Sequence, residues 1–467
     1  MLILPVSSLR RWLTGNSQFL IRWSVIALML LLSLYWAPRA SARQAVLLLG
    51  AGISVVFLKW PPLGLAVLIV AGLTVPFTIG TGTQTSLNVA VLLSALLVGL
   101  WLLDMVRRKE IRLLPSRPIR PLLAFSLVAI VAFLMGNLPW FLFALPASLQ
   151  AQVGGLMVFL LSAGAFLLMA HQVDERWLAR LTWAFLALGG LYVAGRLALG
   201  LGDFTGRLFP AGSTGSVFWV WLMALAFGQA AFNRQLDIGW RILLGCLVAG
   251  ALYLGLFANR TWASGWLPSL VALAAVLWAG APRLGWLATL VGGAFALANG
   301  PRVVGLVMIN EQYSLLTRQN AWLIVAEIIK ANPVLGLGPA NYYHYTPLFP
   351  ILGYYLEFNS HNQYVDIVAQ TGLLGLACFL WFVWEVGRLG WRLRTQVPEG
   401  FARAYVCGAL GGLAGMLAAG MLADWVLPFV YNIGLAGFRA SVLGWLFLGG
   451  LVGLEQMVRC RPEQRMD

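Results

Sequence analysis

Residues 86–112 read SLNVAVLLSALLVGLWLLDMVRRKEIR. An uncharged apolar run, 86–103, is followed at once by a basic cluster of Arg107, Arg108, Lys109 and Arg112. As an α-helix, such a run rises about 27 Å at 1.5 Å per residue, close to the ~30 Å hydrocarbon core of a bilayer. The basic flank marks its cytoplasmic end, because Lys and Arg accumulate on that side. The pattern recurs outward in both directions. Apolar runs of similar size fall near 19–36, 45–59, 62–76, 121–136, 153–171, 178–199, 214–232, 241–258, 263–279, 284–299, 363–386, 404–423 and 435–455. With 86–103 they make about fourteen spans. The expected fold is therefore all-α, a polytopic helical bundle in a membrane.

Composition agrees. Of 467 residues, 60% are apolar and 10% are charged, against ~25% charged in a soluble domain. A soluble chain could not hide that much apolar surface, which excludes a soluble enzyme and a disordered linker. The net charge of +15 would suit nucleic acid, but the basic residues sit in short clusters between apolar runs, so no nucleic-acid partner is expected. Arg10 and Arg11 precede a run too long for a secretory signal. The four cysteines, Cys246, Cys378, Cys407 and Cys460, show no metal-ligand spacing, and no metal or other cofactor is expected.

Alternating sides from a cytoplasmic N-terminus puts about 22 of the 31 basic residues inside and about 8 outside. Against a nearly uncharged outer face, Arg207, Arg260, Arg302, Arg318, Lys330 and His361 stand out. The longest loop, 300–362, is also external. Its first half, Glu311–Lys330, has the apolar spacing of an amphipathic helix lying on the membrane face or over a cavity. The helix is expected to stop at Asn332-Pro333. Gly336-Leu337-Gly338-Pro339 reads as a plain turn, or as a turn with backbone N–H groups open to an anion. Asn341–Tyr345 is polar and aromatic, which suits both an interfacial belt and sugar stacking, with Tyr342 the residue singled out for substrate. The loop ends in Asn359-Ser360-His361-Asn362-Gln363, directly before a span. His171 reads as structural, and Arg302, Lys330 and Arg439 as side chains snorkelling to headgroups.

Arg318-x3-Trp322-x3-Ala326, Asn332-Pro333-x2-Gly336-x-Gly338-x2-Asn341, Ser360-His361-Asn362 and Gly372-Leu373-x-Gly375 together resemble the signature of the O-antigen ligase and O-antigen polymerase superfamily. Gly206-Arg207-Leu208-Phe209 and Asn259-Arg260 are similar to two further arginine positions of that family. The resemblance divides the chain into an N-terminal bundle, 1–258, a signature region, 259–385, and C-terminal helices with a basic cytoplasmic tail, 386–467. It implies a glycosyltransferase of the bacterial inner membrane, working on its periplasmic face without a metal. The donor would be a glycan on undecaprenyl or another polyprenyl diphosphate. The acceptor would be a glycan or glycolipid, and transfer would invert the anomeric centre.

The residue types suit that chemistry. Arginine binds phosphate through a planar, permanently charged fork. Arg318 and Arg207, with Arg260, would hold the diphosphate and stabilise charge on it as it leaves. His361 would act as general base on the acceptor hydroxyl. Asn359, Asn362 and Gln363 would orient His361 or a sugar hydroxyl, and capping and solvated-face readings remain open for Asp366 and Glu327. A transporter or flippase of lipid-linked glycans is the alternative. The nearly charge-free span centres and the absence of a repeat weigh against it. Ligase, polymerase and protein-glycan transferase all remain open.

Overall fold

The computed structural model describes residues 42–80, 86–198, 200–300 and 312–460. The first apolar run, 19–36, and Arg302 lie outside them. By internal contacts the chain forms two units, Met1–Lys59 and Trp60–Asp467. In the first, the described segment is the helix α1 (Ala42–Lys59).

The second unit begins with α2 (Pro61–Thr74) and a two-stranded antiparallel ribbon, β1 (Thr78–Gly80) and β2 (Ser86–Asn88). Asn88 ends the ribbon and caps α3 (Val89–Arg108), its side-chain oxygen accepting from the N–H groups of Ala90 and Val91. There follow α4 (Ile119–Met135), α5 (Leu149–Gln172), α6 (Glu175–Leu197) and the short α7 (Gly202–Leu208). Next come α8 (Ser216–Phe232), α9 (Ile238–Tyr253, which runs on as a π-turn through Ala258), α10 (Ala263–Gly280) and α11 (Pro282–Ala298). The signature region supplies α12 (Gln312–Ile329), α13 (Tyr342–Tyr345) and α14 (Gln363–Gln396), and α15 (Phe401–Leu422) and α16 (Phe438–Cys460) complete the described chain.

The protein is an all-α membrane protein. Among the described residues, eight helices are long and apolar enough to cross a bilayer, and α4 and α8 are shorter apolar helices. Each apolar run from 45–59 to 435–455 falls on a helix. The helix expected over 311–330 is α12, but it does not lie loose on a surface. Its Ala321, Val325 and Ile328 are buried, and it packs on α14.

The core is α16, buried along nearly its whole length. It packs on α5, while α15 packs on α8 and α10. Small residues permit that approach. A Cβ on Gly411 of α15 would fall 2.6 Å from the carbonyl oxygen of Ala272 in α10. Arg439 is not a snorkel. It is 2% exposed and donates to the carbonyls of Gly72, Val75 and Phe77, closing the open C-terminus of α2. His171 is structural: its Nε2 accepts from the Leu114 N–H at 2.9 Å and its Nδ1 lies 2.8 Å from the Leu167 carbonyl.

Candidate active site

The site is built on a break in α14. Gly372 adopts φ 70° and interrupts an otherwise continuous 34-residue helix. The break frees the carbonyls of Ala369 and Gln370, which accept from the N–H groups of Leu337 and Gly338. In return, Leu373 and Leu374 donate to Pro333 and Val334. The Gly336–Gly338 turn is therefore a docking device. Two of its N–H groups are occupied by α14, so the plain-turn reading fits and the anion-nest reading does not.

This docking presents residues 359–366 at the head of α14. Asn362 caps the helix, its side-chain oxygen accepting from Tyr364 and Val365. Ser360 is fully buried; its hydroxyl donates to Asp366 Oδ1 at 2.7 Å and accepts from the Asn362 N–H at 3.1 Å. The Tyr342 hydroxyl donates to the same carboxylate oxygen and accepts from the Ser360 N–H at 3.3 Å. Trp322 of α12 donates to the Ser360 carbonyl at 2.8 Å. His361 sits between these anchored neighbours, half-buried, with φ 47°. That left-handed conformation is rare for a residue with a side chain and persists only where the surroundings impose it.

The segment 423–437, between α15 and α16, closes the site. Gln363 holds it: its side-chain oxygen accepts from Val426 and Leu427, and its nitrogen donates to the Leu427 carbonyl. Asp424 is buried, accepts from the Phe429 N–H at 2.6 Å and also from the Asn432 amide. That amide nitrogen lies 3.5 Å from His361 Nδ1. Burial pushes the Asp424 carboxyl above the ordinary carboxylate range.

The same segment gathers the loops that bear arginines. A Cβ on Gly212, five residues beyond Arg207, would fall 2.2 Å from the Ala436 carbonyl. Gly215 faces the Trp425 ring, and Trp262, two residues beyond Arg260, meets that ring edge-on at 5.9 Å. Arg207, on α7, and Arg260, after the π-turn, are both exposed. Arg318 is half-buried one helical turn before Trp322, on the same face of α12. The loops of Arg207 and Arg260, the Arg318 helix and His361 thus share one end of the bundle.

The other candidates divide. Tyr342 is fully buried, stacked on Phe429 at 4.8 Å, and has no face left for a sugar. Burial raises its hydroxyl well above the ordinary tyrosine range. The amides of Asn362 and Gln363 serve the backbone. Asn359 is 7% exposed, and its side-chain nitrogen has no hydrogen-bond partner among the described residues. Sequence reasoning passed over Asp424 and Asn432. Their signal was the position of Asp424 as the only charge between Arg403 and Arg439. His344 lies outside this network; its Nδ1 pairs with Glu357 at 2.8 Å and its Nε2 is 3.1 Å from the Tyr431 hydroxyl.

Residues 239–380, from the first turn of α9 to the middle of α14, match the family model for O-antigen ligase. No curated protein matches the chain. Residues 239–380, which contain Arg260, Arg318 and His361, thus form an O-antigen ligase domain.

Proposed function

We propose that the protein transfers an oligo- or polysaccharide from a polyprenyl-diphosphate donor to an acceptor sugar at the periplasmic face of the bacterial inner membrane. The observation that carries this reading is His361, held half-exposed in a left-handed backbone between two anchored residues, at the end of the bundle that also bears Arg318, Arg207 and Arg260. The acceptor hydroxyl attacks the anomeric carbon as the neutral His361 ring takes its proton. The bond from that carbon to the diphosphate oxygen breaks, and the electron pair leaves with the polyprenyl diphosphate. Attack opposite the leaving group inverts the centre. The arginines bind the diphosphate and stabilise its growing charge. The unpartnered Asn359 amide supplies a donor for substrate beside His361. Asp424, through Asn432, positions the Nδ1 edge of the ring.

The test uses purified protein and a lipid-linked repeat unit, with and without a lipid A-core acceptor, and no ion gradient. Donor consumption with a new glycosidic bond supports the reading, and the product separates ligase from polymerase. His361→Ala should abolish transfer and keep donor binding within about twofold, since a general base contributes ~10²–10⁴-fold. Wild-type turnover per folded His361→Ala molecule would remove the residue from the mechanism. Activity should fall on acidification, because a protonated ring cannot accept a proton.

A further inference from the structure

At the opposite end of α14, roughly 40 Å along the helix from His361 at 1.5 Å per residue, lies a groove of about 600 Å³. The two residues just before α4, the second half of α14, Leu413 of α15 and Glu455 of α16 form it. Its charged lining is Arg117, Arg388, Arg392, Glu385 and Glu455. Two of these charges are satisfied within the protein. Glu455 is 3% exposed and pairs with Arg392 and Arg459, and it accepts from Ser116 at 2.6 Å. The others are not. Arg117 and Arg388 are exposed and make no ion pair or side-chain hydrogen bond among the described residues. Glu385 is half-buried, and one of its carboxylate oxygens is sealed without a partner. Val383, Trp384, Leu389 and Leu413 supply apolar wall along the spans.

Two unpaired guanidinium groups beside one unpaired carboxylate, above an apolar wall, match a ligand with a phosphate, an amine and a hydrocarbon tail. Arginines between helix ends at a membrane surface are a recognised headgroup geometry. An anionic headgroup alone would occupy the two arginines and leave the half-buried Glu385 carboxylate without a cation, and a partly desolvated unpaired carboxylate is costly. We propose that this groove binds a glycerophospholipid with an amine-bearing, zwitterionic headgroup. Arg117 and Arg388 hold the phosphate, Glu385 pairs with the ammonium, and the acyl chains lie along Trp384 and Leu413. The site is separate from the glycan chemistry and does not depend on it.

Native mass spectrometry of the detergent-solubilised full chain tests this, with phosphatidylethanolamine and phosphatidylglycerol added at equal concentration. Phosphatidylethanolamine should be retained about tenfold more. Arg117→Ala with Arg388→Ala should remove that retention, and both sites are exposed, so an unchanged melting temperature checks folding. Glu385→Gln should keep phospholipid binding and erase the preference between the two headgroups. Glycerophosphoethanolamine, which lacks tails, should not compete. Equal retention of the two lipids by the unmodified protein would overturn the proposal. So would unchanged retention in the arginine variant, or full competition by the tail-less headgroup.

Discussion

Tyr342 turns its ring onto Phe429 and its hydroxyl onto Asp366, and its neighbours on α13, Tyr343 and His344, are only half-buried. Tyr342→Phe keeps the ring but removes a donor to Asp366 and an acceptor for Ser360. An unsatisfied buried polar group costs about 1–3 kcal/mol, so the melting temperature should drop and activity should fall with it, because Ser360 anchors His361. A melting temperature equal to that of the unmodified protein would show that the hydroxyl is idle. Asp424 gives a pH dependence. Its folded-state pKa is raised, so its contribution to stability is full below the ordinary Asp value near 3.9 and is lost as pH rises through the raised value. The decline in melting temperature from about pH 4 toward neutrality should be shallower in Asp424→Asn. At this scale the sequence was only partly legible. It exposed Arg318 and His361 by their rarity on an uncharged face. Which tyrosine faces inward depends on partners more than 20 residues away, Asp366 and Phe429, and the burial of Asp424 depends on a local turn to Phe429 and Asn432 that no periodicity marks.

At the scale of elements, α14 was legible as an apolar run and illegible as a broken helix. No proline marks the break. It is made by Gly372, whose positive φ is imposed by the docking of residues 333–338. A Cβ there would fall 2.0 Å from the Val334 carbonyl oxygen. Gly372→Ala should therefore cost at least about 1–3 kcal/mol from the backbone conformation alone, with further loss from the clash. It should lower transfer even where folded protein is recovered, since residues 359–366 are aimed by that joint. Transfer per folded molecule, set beside the melting temperature, separates the two effects. The C-terminal extension of α14 was also hidden. Arg388, Arg392 and Arg394 lie beyond the apolar run 363–386, yet arginine is a good helix former, and the helix continues through Gly387 and Gly390 with no proline before Pro398. The amphipathic α12 was legible because its period is regular, but its burial against α14 was not, because no periodicity names a partner.

At the scale of the whole molecule, hydropathy reads almost every helix, because a bilayer demands a length and a composition that soluble folds do not. Sidedness follows from the basic clusters and can be checked directly. In a background with Cys246 and Cys460 replaced, Tyr355→Cys should react with an impermeant maleimide on intact cells. Gln396→Cys should react only after permeabilisation, and the opposite pattern would invert the orientation and move the site to the cytoplasm. The central position of α16 has a consequence for biosynthesis. It follows every other described helix in the chain, yet α2, α3, α5, α6, α8, α14 and α15 all pack on it. While the ribosome is still making it, the earlier helices have no centre to close upon. They must wait in the lipid, held by the insertion machinery or by one another. Arg439 can cap α2 only when this last segment arrives, joining residues more than 360 positions apart. Assembly of the bundle is thus a late, all-at-once event, and a chain stopped after Gly434 should be cleared by membrane proteolysis before it accumulates.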